Sequence, residues 1–475
     1  MKGRAALVIL PVTALAVVAL YFMVERSPNL FANTQYLGAV LALQIALIGL
    51  SHFEETFFPL LIGSFLWAGS FLPFYAVGMS LRWLFLGVGA LGGFVIWIKS
   101  PRVQHFRAFH LVALFCVVSA LVSALISELP KTAVLKVASL FLLFLYASSG
   151  ARVAVAGREQ KFLSGLVIAS EALVYLSAVC NFVLGYAVFG NPNALGAIIS
   201  VGVVPVLLWA AITAETRGLK QRRFFALAIC GALLYSANSR ASMLGAVVVV
   251  VLFTVALRQQ RLLLQCAFVS VFFLTAMAVI QPSHMAEMAD SFTGRVLYKT
   301  QGTNSGIFGS RLSPWADTYA VVKRHPWFGS GFGTSELGEF RPDLGSSAVY
   351  TIEGTNREHG NSYLALVEYM GMLGVMPFLV LILLLIRMLS RVYGWIRMTG
   401  NPYHPCIPFA LVVTAGLIHA FFEDWLFAVG SYLCVFLWVS AFILMDLVPE
   451  ARPQETAALG RRRASVGLPI TASLR

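Results

Sequence analysis

Apolar runs long enough to cross a membrane follow one another almost without interruption along this chain, and only the stretch from Gln281 to Asn361 departs from them for long. Backbone crossing lipid must close its hydrogen bonds within each segment, so such runs fold as helices, and no regular polar/apolar alternation supports a barrel. With spans of about 17–25 residues and some shorter ones admitted, the runs fall at 5–24, 36–50, 57–78, 81–98, 106–127, 132–149, 162–188, 193–213, 222–237, 241–257, 262–281, 361–388, 406–422 and 426–447. The expected fold is an all-α polytopic membrane protein of about 12–14 transmembrane helices, with one large loop between the eleventh and twelfth. Composition agrees, since 59% of the residues are hydrophobic and 12% charged, against about a quarter charged in soluble domains.

Charge sets the expected orientation. The net charge of +13 does not point to nucleic acid, because its distribution follows the tendency of basic residues to stay on the inner side. With the N-terminus inside, the inner connections hold Lys99, Arg102 and Arg107, then Arg152, Arg158 and Lys161, then Arg217, Lys220, Arg222 and Arg223, then Arg258 and Arg261, then Arg387, Arg391 and Arg397. The Arg-rich tail after Pro449 falls on the same side and reads as disordered. Only the turn from Ser51 to Thr56, with Glu54 and Glu55 and no basic residue, lends this topology no support. Lys2 and Arg4 before an apolar run look like a signal peptide, but the run is of spanning length and ends without a small-residue cleavage site, so it is expected to persist as the first helix. Loop 282–360 then faces outward and both termini inward.

Three regions follow: N-terminal helices over 1–189, a second transmembrane region over 190–448 that includes loop 282–360, and a basic tail over 449–475. Cys116, Cys180, Cys230, Cys266, Cys406 and Cys434 all lie in or beside apolar spans, which gives neither a disulfide framework nor a zinc-like spacing; they read as small buried hydrophobes. Within the loop, Ser313-Pro314 is expected to start a short helix and His325-Pro326 to stop it.

Large loops on a rigid scaffold usually carry function, and the residues that stand out lie in or near this one. Arg240, in or just before the first turn of a helix on the outer side, opposes both the inner preference of cations and their preference for helix C-termini, so it either has an anionic partner or snorkels to headgroups. Arg311, Lys323, Arg324 and Arg341 add positive charge to the outer loop that topology does not demand, and arginine's planar fork suits a diphosphate. Gly329, Gly331 and Gly333 read as a structural turn, without a P-loop or a strand-linked nucleotide fingerprint. His359 immediately precedes a helix whose N-cap is Asn361 or Ser362, and a histidine there can polarise a hydroxyl. Glu353, Glu358, Glu423 and Asp424 are alternatives for orienting its ring. Glu368 lies two turns into that helix and needs a partner, while Gly371 and Gly374 read as helix-packing positions. Asn193, after Asn191-Pro192, is the expected cap of another outer helix.

Taken together, these pieces resemble the O-antigen ligase and Wzy polymerase superfamily of membrane glycosyltransferases. They are Asn191-Pro192-Asn193-Ala194-Leu195-Gly196, Ser239-Arg240, Gly309-Ser310-Arg311 with Trp315, His325-Pro326 with the three glycines, and His359-Gly360-Asn361-Ser362 followed by Glu368-Tyr369-Met370-Gly371-Met372-Leu373-Gly374. The resemblance covers roughly residues 190–390. It implies that Arg240 and Arg311 bind the diphosphate of a polyprenyl-linked glycan donor and that His359 activates the acceptor hydroxyl. Glu368, Glu358, Asn361 and Asn193 would support them. It further implies an inverting, metal-independent transfer without cofactor, on the periplasmic face of a bacterial inner membrane, with a glycan, a lipid A core or a protein as acceptor. Ligases often have a second histidine close to this one or an asparagine directly after it, whereas here Gly360 intervenes. The rival reading, a lipid-linked glycan flippase or other transporter, calls for paired repeats and midplane charges, and the chain has no such repeat.

Overall fold

The computed structural model describes residues 44–72, 75–100, 106–189, 191–283, 286–287, 290, 309–335 and 359–449. The expected first helix, most of the second, Arg341, Glu353, Glu358 and the tail lie outside them. Among the described residues the secondary structure is helical throughout, as the requirement for self-contained hydrogen bonding dictates. In chain order the main helices are α1 (Phe58–Ala68), α2 (Tyr75–Lys99), α3 (Ala108–Leu125), α4 (Pro130–Val155), α5 (Glu159–Val183), α6 (Pro192–Ile212), α7 (Arg217–Ser236), α8 (Arg240–Ala256), α9 (Gln260–Ile280), α10 (Gly309–Arg324), α11 (Ser362–Gly374), α12 (Met376–Thr399), α13 (Cys406–His419) and α14 (Tyr432–Leu447). Six of these, α2 to α6 and α12, are long and apolar enough to cross a membrane, while α8, α13 and α14 are shorter apolar helices.

The core sits where α13 and α14 pack on each other, with α6 and α8 against α13 and α4 against α14. Nearly every residue of α13 and α14 is buried, as expected of helices that are apolar all round. By contrast α2, α3 and α12 leave large apolar side chains such as Leu91, Leu111 and Leu383 exposed, the surface a membrane would cover. Cys116, Cys230, Cys406 and Cys434 are buried and unpaired, and Cys180 is half-buried. The acidic turn is tied by ion pairs to the start of α5: Arg158 reaches Glu54 at 3.1 Å and Lys161 reaches Glu55 at 2.8 Å.

Several boundaries differ from expectation. The span anticipated at 57–78 ends at Ala68, where Gly69 caps it, and the next begins at Tyr75. The cap of α6 is Asn191, not Asn193: its side chain accepts the Asn193 N–H at 2.9 Å, and Pro192 takes the first helical position. The loop helix extends over Gly309–Arg324, so Ser313 does not cap it, Pro314 lies inside it and Arg311 is part of it rather than ahead of it. Arg387, Arg391 and Arg397 lie within α12 rather than in a connection, with only Arg397 in its last turn, and Gly400, in the left-handed conformation, ends that helix.

The largest correction concerns the span expected at 361–388, which is broken. Gly371 has φ 62° and ψ −177°, a region essentially restricted to glycine, so its role is to break the helix and not to let helices approach. The break frees backbone groups on either side, and the glycine-rich segment takes them up. Ser330 and Gly331 donate to the carbonyls of Glu368 and Tyr369, while Met372 and Leu373 donate to those of Pro326 and Trp327. Approach this close leaves no room for side chains: a Cβ on Gly371 or on Gly329 would lie 2.4 Å from backbone of the opposing segment. Gly329, Gly331 and Gly333 all have positive φ and form the expected turn. Substituting Ala for Gly371 should therefore cost more than the 1–3 kcal/mol typical of strained backbone, read as a lowered unfolding temperature in detergent. Gly394→Ala, where a Cβ meets nothing within 4 Å, should stay within about 1 kcal/mol of the parent.

Candidate functional site

His359 sits at the start of α11 with its side chain wholly buried. Asn361 caps that helix, accepting the N–H groups of Tyr363 and Leu364 at 2.9 and 3.2 Å. The turn between α13 and α14 is fastened to the same place. Ser362 N–H donates to the Ala420 carbonyl at 2.9 Å, its hydroxyl donates to the Glu423 carbonyl at 2.5 Å, and Leu426 N–H donates to that hydroxyl at 3.1 Å. Asp424 is thereby set beside His359, and its Oδ2 accepts both the backbone N–H and the ring Nδ1–H, each at 3.1 Å.

On the other side of the ring Nε2 faces Glu368 Oε1 at 3.2 Å and Ser335 Oγ at 3.4 Å, and Ser335 also donates to Glu368 at 2.8 Å. Glu368 is fully buried, and His359 is a partner to it. The strap of glycines, which takes up the Glu368 carbonyl, fixes where this side chain leaves α11. Two carboxylates facing both ring nitrogens are fully satisfied only by the imidazolium, which carries a proton on each. Burial works against that proton, but the hydrogen bonds and charges of Asp424 and Glu368 outweigh it and hold the histidine above its ordinary pKa of 6.5. Burial alone would raise Asp424, and its contacts with His359 reverse this and hold it below 3.8.

Arg311 approaches from α10, which packs on α11. Its Nη2 bonds Glu423 Oε1 at 2.8 Å, so neighbouring residues of one turn hold Arg311 and His359. Gly360 explains itself here: its φ is +63°, and a Cβ on it would lie 2.6 Å from Arg311 Nη1. A side chain at 360 would push the guanidinium away. Arg240, at the first position of α8, comes close enough to Arg311 for the two charges to repel. Beside them Ser242, His419 and Trp425 form a chain of hydrogen bonds, 3.1 Å from Ser242 Oγ to His419 Nε2 and 2.9 Å from Trp425 Nε1 to His419 Nδ1. Thus Arg240, Arg311, His359, Glu368 and Asn361 converge from distant parts of the chain. Asn193 is half-buried next to its cap Asn191, and Glu358 lies outside the described residues. Among those residues no group of three or more His, Cys, Asp or Glu is arranged to hold a metal.

Residues 224–379 match the family described as O-antigen ligase. This match, over part of the chain, supports membership of the O-antigen ligase and Wzy superfamily. No curated protein matches the chain. The match supports a membrane glycosyltransferase of ligase or polymerase type acting on lipid-linked glycan. The matched segment includes Arg240, Arg311, His359 and Glu368 and stops before Glu423 and Asp424, which complete the site.

Sequence reasoning named Asp424 only as one of several alternatives and did not single out Ser335 or His419. Their partners lie across elements, and no local spacing announces them. Linkage gives the histidine cluster a testable signature. A pKa raised in the folded state adds stability that is complete below 6.5 and disappears as pH rises through the folded value. The parent protein should therefore lose stability on the alkaline side of 6.5 relative to His359→Gln, which cannot hold the proton, and the variant should be less stable overall by about 3–5 kcal/mol. Thermal unfolding followed across pH for both proteins checks this; parallel profiles would contradict it.

Proposed function

We propose that the protein transfers a glycan from a polyprenyl diphosphate carrier to an acceptor hydroxyl at the outer face of a bacterial inner membrane. The observation that carries this reading is the Glu423–Asp424 turn, which ties Arg311 and His359 into one unit and so couples a site for diphosphate to a site for a proton. Arg240 and Arg311 are cations held near one another despite their repulsion, an arrangement that a dianionic diphosphate would relieve. The acceptor oxygen attacks the anomeric carbon from the face opposite the diphosphate, the new C–O bond forms as the old one breaks, and the carrier leaves as its diphosphate. The two guanidiniums stabilise the charge that grows on that leaving group. The acceptor's proton passes to the couple of Asp424 and His359, in which Asp424 presents a partly exposed carboxylate and His359 stands behind it. Glu368 holds the far side of the ring.

In this reading the base must first be free of its proton, so transfer should rise with pH through the raised pKa of His359, above 6.5. Arg240→Ala and Arg311→Ala should each lower kcat by about 100-fold or more, and lysine at either position should restore only part of it, because the fork is lost. His359→Gln should abolish the pH limb along with most of the rate. Glycan transfer assayed on folded, membrane-inserted variants decides the matter, and full transfer by all three alanine variants at 240, 311 and 359 would refute the mechanism. Deletion of the gene separates the two outcomes for the acceptor: long polymer left on the carrier indicates a ligase, single repeats indicate a polymerase.

A further inference from the structure

A cavity of about 570 Å³ opens beside Asp424, bounded by the outer-loop glycine strap, by the turn Asp424–Ser431, and by α2 and α4. That size falls within the range of about 300–1,000 Å³ usual for ligand pockets. Two cations line it, Arg82 from α2 and Lys136 from α4. Arg82 gives one N–H to the Gly430 carbonyl at 2.7 Å and lies over the Trp83 ring at 5.0 Å, while its Nε is buried with no hydrogen-bond partner. Lys136 donates to the Gly333 carbonyl. Among the described residues neither cation has a carboxylate within ion-pairing distance, and Asp424, the acidic residue in the wall, is bound to His359. Charges placed in a membrane-embedded bundle without counter-ions signal a function by default. Trp83, Phe332 and Tyr369 add flat apolar faces to the same wall.

We infer that this cavity is the acceptor subsite and that it selects a sugar bearing an acidic group, a carboxylate or a phosphate, held by Arg82 and Lys136 with its ring against Trp83, Phe332 or Tyr369. The inference rests on the proposed transfer. Neither Arg240 nor Arg311 lines the cavity, so it is a compartment separate from the diphosphate site, with the Glu423–Asp424 turn between them. An acceptor seated there would bring a hydroxyl to the exposed side of Asp424. Both cations and the Asp424–Ser431 turn also lie outside the matched residues 224–379, whereas Phe332 and Tyr369 lie within them, so the selection by charge resides in the part of the chain that the family pattern does not cover.

The test is direct binding to the full chain in nanodiscs, with trigalacturonate as the acidic probe and its methyl ester as the neutral one. The acid should bind at least about tenfold more tightly than the ester, and Arg82→Gln and Lys136→Gln should each weaken it about tenfold or more. Arg82→Lys and Lys136→Arg should restore most of the affinity, which separates a lost charge from a damaged fold. Arg240→Ala and Arg311→Ala should bind the acid as the parent does. Equal binding of acid and ester, or acid binding that survives both glutamine variants, would overturn the inference. So would tighter binding of glycerol 3-phosphate, which would assign the cations to a lipid headgroup. The donor reading is measured apart, by inorganic diphosphate titrated into Arg240→Ala and Arg311→Ala. Unchanged diphosphate binding there removes the donor site without touching the selectivity of the cavity.

Discussion

The Glu423–Asp424 turn is the constraint on which the rest of the site depends. It is anchored by backbone and by Ser362, so the beginning of α11 and the connection from α13 to α14 behave as one piece. From that piece one carboxylate takes Arg311 and its neighbour takes His359. Losing one partner of a buried pair costs more than the pair contributes, because the other charge is stranded. The cluster of His359, Asp424 and Glu368 and the Arg311–Glu423 pair are thus joined through one turn.

The broken helix serves the same end by different means. A continuous α11 would keep the carbonyls of Glu368 and Tyr369 for its own ladder and leave nothing for the glycine strap to bind. With Gly371 in a conformation other residues avoid, the strap docks by four backbone hydrogen bonds, and Ser335 at its end reaches both Glu368 and His359. The positive-φ glycines are thus a mechanical requirement of the His359 cluster. Rigid placement matters here because reacting groups misplaced by about 1 Å can lose about 100-fold in rate.

Much of the fold was legible because lipid leaves so few options: the helices of the described region fall near the apolar runs, whatever side chains they carry. What hydropathy could not see were interruptions within an apolar run, since a sum over 361–388 does not register one glycine at φ 62°. Arg240 stood out in the sequence by opposing two placement preferences, Arg311 by the company of other cations in the loop, and His359 by its position just before a helix. Asp424 was only half legible, because its meaning comes from a partner 65 residues away. Arg82 and Lys136 could have been found by the reasoning that marked Arg240, for both stand inside apolar spans; their significance lies in the cavity they share, which only packing creates.

Opposite demands meet in the proton on His359. Two carboxylates make the histidine cluster cohesive by keeping the ring charged, yet a base must give that proton up before it can accept another. Raising the pKa therefore strengthens the fold of the site and at the same time reduces the fraction of molecules ready to react near neutral pH. An arriving anionic donor shifts this balance further toward the charged ring, whereas an acceptor hydroxyl bonded to Asp424 draws one carboxylate away from it. On the proposed transfer, binding of the acceptor, and not of the donor, would be the event that lets the proton leave. That order would restrain the site from spending its donor on water before a true acceptor is seated.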